Sequence, residues 1–531
     1  MFCPGYTYNG SSKKFHKFVK SNGVKVFRTE QIREIDAWTI GHEPVASIDL
    51  MERAAKACSD WITSHVGLPR EVLVFCGPGN NGGDGLALAR LLYKKYYRVK
   101  VFIVAEGSRF SPDFLLNRKR LEELHSVEIL QIEEMKSFPD IKNNAVVIDA
   151  LFGTGLSRPV TGLPAEVICL INQAGVPVIS VDLPSGLFAE NNQENDTCTI
   201  VKASHTLTFQ FPKLAFFFGN YREFTGNWHI LPIGLDKDYI SSKETDLHYL
   251  LAEEVSGMLH ERPKFSHKGT YGHALLIAGC HGMMGAAVLA ARACLKAGAG
   301  LVTTHVPRFG VNIVQTCVPE SLISIDESDT VFTLFPDLDR FSAVGVGPAI
   351  NCRPNAQEGL QALLRSCKVP LVIDADAINI LGQRKEWIEL IPEGSILTPH
   401  PKEFERLVGR FDDPYERNRK QLGFAQAHRV YVVLKGAYTA IACPDGSCWF
   451  NSTGNPGMAT GGSGDVLTGI ILSLLAQSYT PREAALLGTY IHGLAGDFAA
   501  MSEGEEGMLA SDITDHIGKA ILKLKKKSDE I

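Results

Sequence analysis

None of the 12 cysteines stands in CxxC spacing, which removes both a thiolate zinc site and a thioredoxin-type redox pair. Scattered thiols of this kind fit a reducing compartment, so a cytoplasmic location is expected. Nor is there the run of ~20 uninterrupted apolar residues that a bilayer-spanning helix needs. The richest stretch, 274–306, is broken by His281, Arg292, Lys296 and several glycines. Positive charge is also scarce: 53 lysines and arginines face 59 aspartates and glutamates, for a net charge of -6. Binding a phosphate backbone needs a clustered basic footprint, so neither nucleic acid nor a membrane is expected as a partner. The sequence GxxxxGK[ST] does not occur, which excludes a Walker-type phosphate loop. Residues 1–23 hold Lys13, Lys14, Lys17 and Lys20 without an acidic residue or a continuous apolar segment, and read as a basic extension rather than a secretory signal.

What is present is length and an alternating texture. A chain of 531 residues exceeds what one core usually serves, so two large domains are expected. Short β-branched apolar runs at 72–76, 99–105, 145–148 and 176–181 alternate with helical spacing at 86–97, 113–124 and 165–173. Continuous apolar strands separated by helices predict a parallel sheet covered on both faces, a doubly wound α/β domain over 24–240. A polar stretch near 240–250 reads as a linker. A second α/β series over 250–525 then has strands at 274–278, 301–305, 343–346, 369–373, 395–397 and 430–434. The halves show no mutual repeat, so duplication of one domain is not expected.

Chemistry concentrates in the turns. After strand 72–76 comes Gly77-Pro78-Gly79-Asn80-Asn81-Gly82-Gly83-Asp84-Gly85, then helical spacing. Glycines let a backbone approach a phosphate, and a helix start supplies free N–H donors. The spacing also satisfies GxGxxG, with Glu106 at the end of the next strand, where dinucleotide folds often place a ribose-binding acid. Strand 145–148 runs into Asp149 and a glycine-rich turn, and strand 178–181 into Asp182-Leu183-Pro184-Ser185-Gly186. Ligands of open parallel sheets bind at the carboxyl ends of strands, so these turns share one rim. That rim suits a dinucleotide, with one carboxylate free to move a proton.

The back half carries a second anion cradle, Asn451 to Asp465, feeding an apolar helix at 466–477. Asp465 stands where it could take or give a proton beside a bound phosphate, or else simply cap that helix. Lys435 follows strand 430–434 as a point charge for a phosphate, and His400 lies in a Pro-rich turn after strand 395–397.

The three front turns resemble the signature loops of the NAD(P)H-hydrate epimerase domain. The match runs through residues 24 to 235 and implies a Rossmann-like fold. The resemblance implies that Asn80, Asn81, Gly82, Gly83 and Asp84 bind the hydrate's phosphates. It places Gly153, Thr154, Gly155, Leu156, Ser157, Arg158 and Pro159 along the dinucleotide, and Asp182 at the nicotinamide end as the proton-transfer residue. Asn81, Asp149 and Ser185 would hold K⁺, for which amide, carboxylate and hydroxyl oxygens are suitable hard ligands.

From residue 265 to 520, the segments 267–272, 282–287, 345–348, 374–377, 398–401, 435–439 and 461–465 resemble the ribokinase-like NAD(P)H-hydrate dehydratase family. That resemblance implies that Ala286, Gly347, His400 and Asp465 face the hydrate. Lys435, Gly436, Ala437, Tyr438 and Thr439, with Gly464, would hold the adenine nucleotide. The implied activity is repair of hydrated NADH and NADPH: epimerisation of the R and S hydrates in front, and dehydration of the S form behind, driven by ADP or ATP with Mg²⁺. The fused architecture points to ADP, and relatives of both halves imply a homo-oligomer. Three rivals remain open: a nicotinamide-dependent oxidoreductase, a small-molecule kinase, and a scaffold of the kind found in RNA-decapping proteins.

Overall fold

The computed structural model describes residues 24–43, 45–68, 70–105 and 109–528. The basic extension and Glu106 lie outside them. Two compact units divide between Thr245 and Asp246.

The first unit is built on seven strands: β1 (Glu71–Cys76), β2 (Arg98–Val104), β3 (Glu128–Ile132), β4 (Ala145–Ala150), β5 (Val178–Val181), β6 (His205–Phe209) and β7 (Asn227–Leu231). They pair in parallel in the order β3-β2-β1-β4-β5-β6-β7. Because β1 is apolar at nearly every position, it can bury both faces: Val72, Val74 and Cys76 enter one cluster, and Leu73 and Phe75 another. The strand order reverses between β1 and β4, and that switch point is where open α/β sheets leave a crevice.

Helices α1 (Thr29–His42) and α2 (Ser47–His65) precede the sheet, followed by α3 (Asn80–Lys94), α4 (Pro112–Glu122) and α5 (Leu163–Gln173). The Ser111 hydroxyl accepts the Phe114 N–H at 3.2 Å and Pro112 stands in the first turn, two start signals that fix where α4 begins. Helix α3 departs from expectation: it starts at Asn80 rather than at 86, and so absorbs most of the glycine turn. The cause is packing. A Cβ on Gly82 would lie 1.8 Å from the Gly77 carbonyl oxygen, and one on Gly85 2.6 Å from the Ala150 Cβ. Only glycine lets this first turn sit directly on β1 and β4.

The 240–250 stretch is more ordered than a linker. It holds the end of α6 (Lys237–Ser242), capped by the Asp236 carboxylate, and strand β8 (Leu247–Leu250). In the second unit follow β9 (His273–Ile277), β10 (Leu301–Val306), β11 (Leu322–Ile325), β12 (Ala343–Val346), β13 (Leu371–Ile373), β14 (Ile396–Leu397), β15 (Tyr431–Leu434), β16 (Ala440–Ala442) and β17 (Cys448–Asn451). They order as β8-β17-β16-β15-β14-β13-β12-β9-β10-β11, and only the β15–β16 and β16–β17 pairs are antiparallel. Again one strand feeds two clusters, Ala274 and Leu276 on one face and Leu275 and Ile277 on the other. The reversal of order falls between β9 and β12.

Helices α7 (Met284–Lys296), α8 (Pro401–Val408), α9 (Ser463–Ala476) and α10 (Pro481–Glu503) carry the chemistry-bearing loops of this unit. No helix among the described residues is long and apolar enough to cross a membrane.

Candidate functional sites

At the first switch point the three front turns converge. A Cβ on Gly77 would meet the Leu151 carbonyl oxygen at 2.0 Å, and one on Gly153 would lie 3.1 Å from Asn81 Oδ1. The Phe152 N–H donates to Ser185 Oγ at 2.8 Å. Of the glycines between 77 and 85, only Gly79 faces open space. Gly82 and Gly83 are buried, the latter against Met51, while Asn80 opens α3. Thr154 and Leu156 are half-buried, whereas Gly155, Ser157, Arg158 and Pro159 are exposed on the loop beyond Gly153.

Asp149 is fully buried at the end of β4. Its carboxylate accepts the Ser185 N–H at 2.9 Å, the Ser180 hydroxyl at 2.7 Å, the Leu151 N–H at 3.3 Å and the Ser185 hydroxyl. Burial pushes its pKa above the usual carboxylate range, and these hydrogen bonds oppose the rise. The Asn81 amide nitrogen is buried without a hydrogen-bond partner.

Asp182 opens the turn after β5 with a φ of 64°, in the left-handed region that aspartate tolerates better than most side chains. Its carboxylate accepts from Lys213 Nζ at 2.8 Å and from the Phe209 N–H at 3.2 Å. The Lys213 ammonium is buried and also donates to Thr208 Oγ1 at 2.9 Å. Two further carboxyls share this field. Burial raises Asp84, helped by Asp182, Asp36 and Asp113. Burial also lifts Asp36 to about 7, with Asp182 adding to the rise and Lys213 opposing it. Sequence reasoning passed over Lys213 and Asp36, since neither sits in a glycine motif. The one signal was Lys213 after a proline, four residues beyond the end of β6.

In the second unit the turns after β9 and β12 lock together. The Gly279 N–H donates to the Pro348 carbonyl at 2.8 Å and the Gly347 N–H to that of Ile277 at 3.3 Å. Gly347 has a φ of 133°, and a Cβ there would lie 1.9 Å from the Asp374 carbonyl oxygen. Helix α7 follows β9 and packs along α9, where a Cβ on Gly462 would meet Leu289 and one on Gly469 would meet Ala290. Ala286 stands in the first turn of α7 and Asp465 in the first turn of α9.

Asp465 is not the cap of α9. Gly462 holds that position in left-handed conformation, φ 92°, and Asp465 sits in the first turn. Burial, with Asp374 and Asp376 nearby, lifts its carboxyl to about 7 against the pull of Lys435. The neighbouring Asp374 carboxylate accepts from Lys435 Nζ at 3.0 Å and from Thr468 Oγ1 at 2.7 Å. Lys435 is buried enough to favour the neutral amine, yet Asp374, Glu403 and Asp465 outweigh that and raise its pKa. A Cβ on Gly464 would lie 3.2 Å from Lys435 Nζ. Gly436 and Ala437 are exposed, Tyr438 is half-buried, and Thr439 closes the turn by donating to the Gly436 carbonyl at 3.1 Å.

His400 caps α8: its Nδ1 accepts the N–H groups of Lys402 at 3.1 Å and Glu403 at 3.3 Å. The ring proton therefore resides on Nε2, 3.3 Å from Glu403 Oε1. Burial, chiefly, lowers its pKa. His492, unforeseen from sequence, is half-buried on α10 with Nε2 2.9 Å from the Ser463 carbonyl oxygen, and desolvation depresses it to about 4. Among the described residues no three His, Cys, Asp or Glu side chains gather to hold a metal ion.

Each unit is thus a doubly wound α/β domain whose switch point joins glycine-rich turns to a buried carboxyl, the build of an enzyme for phosphate-bearing small molecules. Comparison with known proteins narrows this class. A family model described as YjeF-related protein N-terminus matches residues 47–215, and one described as NAD(P)H-hydrate dehydratase matches residues 274–519. The chain is 36% identical over 518 residues to a bifunctional NAD(P)H-hydrate repair enzyme of Moorella thermoacetica, covering 94% of this chain and 97% of that one. It is 33% identical to the Escherichia coli enzyme of that description, over 88% of each. An ADP/ATP-dependent NAD(P)H-hydrate dehydratase of Bacillus subtilis, crystallised with ATP and Mg²⁺, aligns at 29% identity and a TM-score of 0.45, covering 52% of this chain and 98% of that one. The chain belongs to the bifunctional NAD(P)H-hydrate repair enzymes, an epimerase domain followed by a dehydratase domain.

Proposed function

We propose that Asp182 and Asp465 are the working carboxyls of the two activities, each moving a proton at the hydrated nicotinamide ring of NADHX or NADPHX. The observation that carries this reading is their shared setting: each carboxyl stands at a glycine-bearing turn with a lysine at hand, Lys213 bonded to Asp182 and Lys435 beside Gly464, the residue before Asp465. In the front domain the turns around Asn80–Asp84 and Gly153–Pro159 take the dinucleotide and Asp182 serves the ring end.

In the back domain the terminal phosphoryl group of ADP or ATP moves to the ring hydroxyl, whose proton passes to Asp465. Phosphate then leaves with the C–O bond as the neighbouring carbon gives its proton to solvent, and the ring double bond returns. A carboxyl lifted to about 7 is suited to such exchange near neutral pH. Lys435 and Gly464 line the nucleotide phosphates, with Gly436–Thr439 beside them. Ala286 and Gly347 face the hydrate, as does His400, whose Nδ1 caps α8 while its Nε2 lies beside Glu403. Mg²⁺ suits this site, since it takes one or two carboxylates plus phosphate oxygens and Asp374 and Asp465 are both at hand.

The donor set of the front site fits K⁺ in part. Asn81 would offer its amide oxygen, which lies beside Gly153, whereas Asp149 would join only by releasing one of four hydrogen bonds. Ser185 links the two residues' surroundings through its hydroxyl.

The setting is a cytoplasmic homo-oligomer, checked by sedimentation. Incubating the protein with mixed hydrate epimers, with ADP and ATP supplied separately, should restore reduced-nicotinamide absorbance from both epimers. Recovery from neither, or without a nucleotide, overturns the assignment.

A further inference from the structure

We propose that Asp36, on helix α1, is the second proton-transfer residue of the epimerase site, working opposite Asp182. The inference rests on the assignment of Asp182 made above. Epimerisation inverts the hydroxyl-bearing ring carbon, and water adds to an enamine at the carbon next to nitrogen, so that carbon bears both hydroxyl and ring nitrogen. Inversion can run through the open form. The hydroxyl proton passes to the Asp182 carboxylate, the C–N electron pair withdraws to nitrogen as a carbonyl forms, and nitrogen takes its proton from the Asp36 carboxyl. Rotation presents the other carbonyl face, and the reverse steps close the ring with both protons returned. No oxidant or co-reactant is required, but one group must accept a proton while another donates.

The first unit supplies such a pair. Helix α1 lies over the site by its apolar side. Ile32 and Ile35, four and one residues before Asp36 on this helix, share a buried cluster with Phe211, and Phe27 just before the helix stacks edge-on against Phe211 at 4.8 Å. Phe209, whose N–H holds the Asp182 carboxylate, packs against the same cluster, and Lys213 lies two residues beyond Phe211. One turn before Asp36, Arg33 reaches over the neighbouring turn: a Cβ on Gly155 would lie 3.7 Å from its guanidinium. The helix therefore spans from the proposed dinucleotide turn to the proposed ring end.

The charged groups in the field of Asp36 are Asp182 and Lys213, on the turns beneath it, and Asp84 on α3. Asp182 is ion-paired to a buried ammonium, whereas Asp36 has burial and a like charge acting on it and is lifted to about 7.

The test measures epimerisation of resolved R hydrate and dehydration of pure S hydrate in the full-length protein. Asp36→Asn should slow epimerisation at least ~100-fold, with dehydration unchanged. In the parent, epimerisation kcat/KM should fall as pH rises through about 7, and Asp36→Glu should restore part of the rate with that fall displaced. A thermal melt of the front domain accompanies each variant, and an unfolded Asp36→Asn protein passes the decision to the Asp36→Glu profile. An Asp36→Asn enzyme at parental rate, or an Asp36→Glu enzyme with an unmoved profile, overturns the proposal. Should Asp182→Asn epimerise normally while Asp36→Asn does not, the Asp182 reading fails instead.

Discussion

At the scale of single residues, the buried ion pair of Lys213 with Asp182 sets the first expectation. Removing one partner of a buried pair leaves the other charge without compensation, and typically costs about 3–5 kcal/mol. Lys213→Met should therefore destabilise the front domain by that order and slow epimerisation, read by denaturant unfolding alongside the epimer assay. Asp465 predicts the opposite sign. Its carboxyl is raised from 3.8 to about 7 in the folded state, so the fold holds its proton more tightly than the unfolded chain does. The resulting stability is complete below pH ~4 and is lost at up to about 1.4 kcal/mol per pH unit as pH rises toward 7. Asp465→Asn, which cannot ionise, should flatten that slope in unfolding measurements of the back domain while abolishing dehydration. Asp36 and Lys213 show why part of the site stays hidden from sequence: a lone acid on an amphipathic helix and a lysine in an irregular turn acquire meaning only when tertiary packing sets them beside Asp182.

At the scale of elements, the glycines separate packing from binding. Gly347→Ala would drive a Cβ to 1.9 Å from backbone at a positive φ, so the β12 turn must shift, and loss of both stability and dehydration is expected. Gly464→Ala meets only the tip of Lys435 at 3.2 Å, a flexible group that can yield. This variant should melt within a few degrees of the parent yet bind nucleotide more weakly, read as a raised KM for ADP or ATP with thermal unfolding as the control. The buried strands were legible because double burial leaves continuous apolar runs, as in β1 and β9. Edge strands were not: β3 is exposed at three of its five positions and lacks such a run. The start of α3 was missed because three glycines lower helix propensity, and close packing on the Gly77 backbone and the Ala150 Cβ overrides that preference.

At the scale of the whole molecule, each activity has its own domain, core and candidate carboxyl. Hydration yields both ring epimers, whereas a stereospecific dehydratase consumes one, so an attached epimerase brings the other within reach. Asp465→Ala should lose dehydration and keep epimerisation, and Asp182→Asn the reverse. Because the shared intermediate can diffuse, an equimolar mixture of the two variants should convert R hydrate fully to reduced cofactor, as followed by absorbance. A mixture that stalls at the S hydrate, or equal damage to both activities from either change, would contradict this division.

The left-handed backbone at Asp182 bears on how any mutational survey of the chain must be interpreted. Asparagine, like aspartate, adopts that geometry readily, so an amide there adds no backbone strain to the loss of the ion pair with Lys213. Alanine or a β-branched replacement would add conformational strain of order 1 kcal/mol or more, and an alanine scan would therefore overstate the chemical importance of this position.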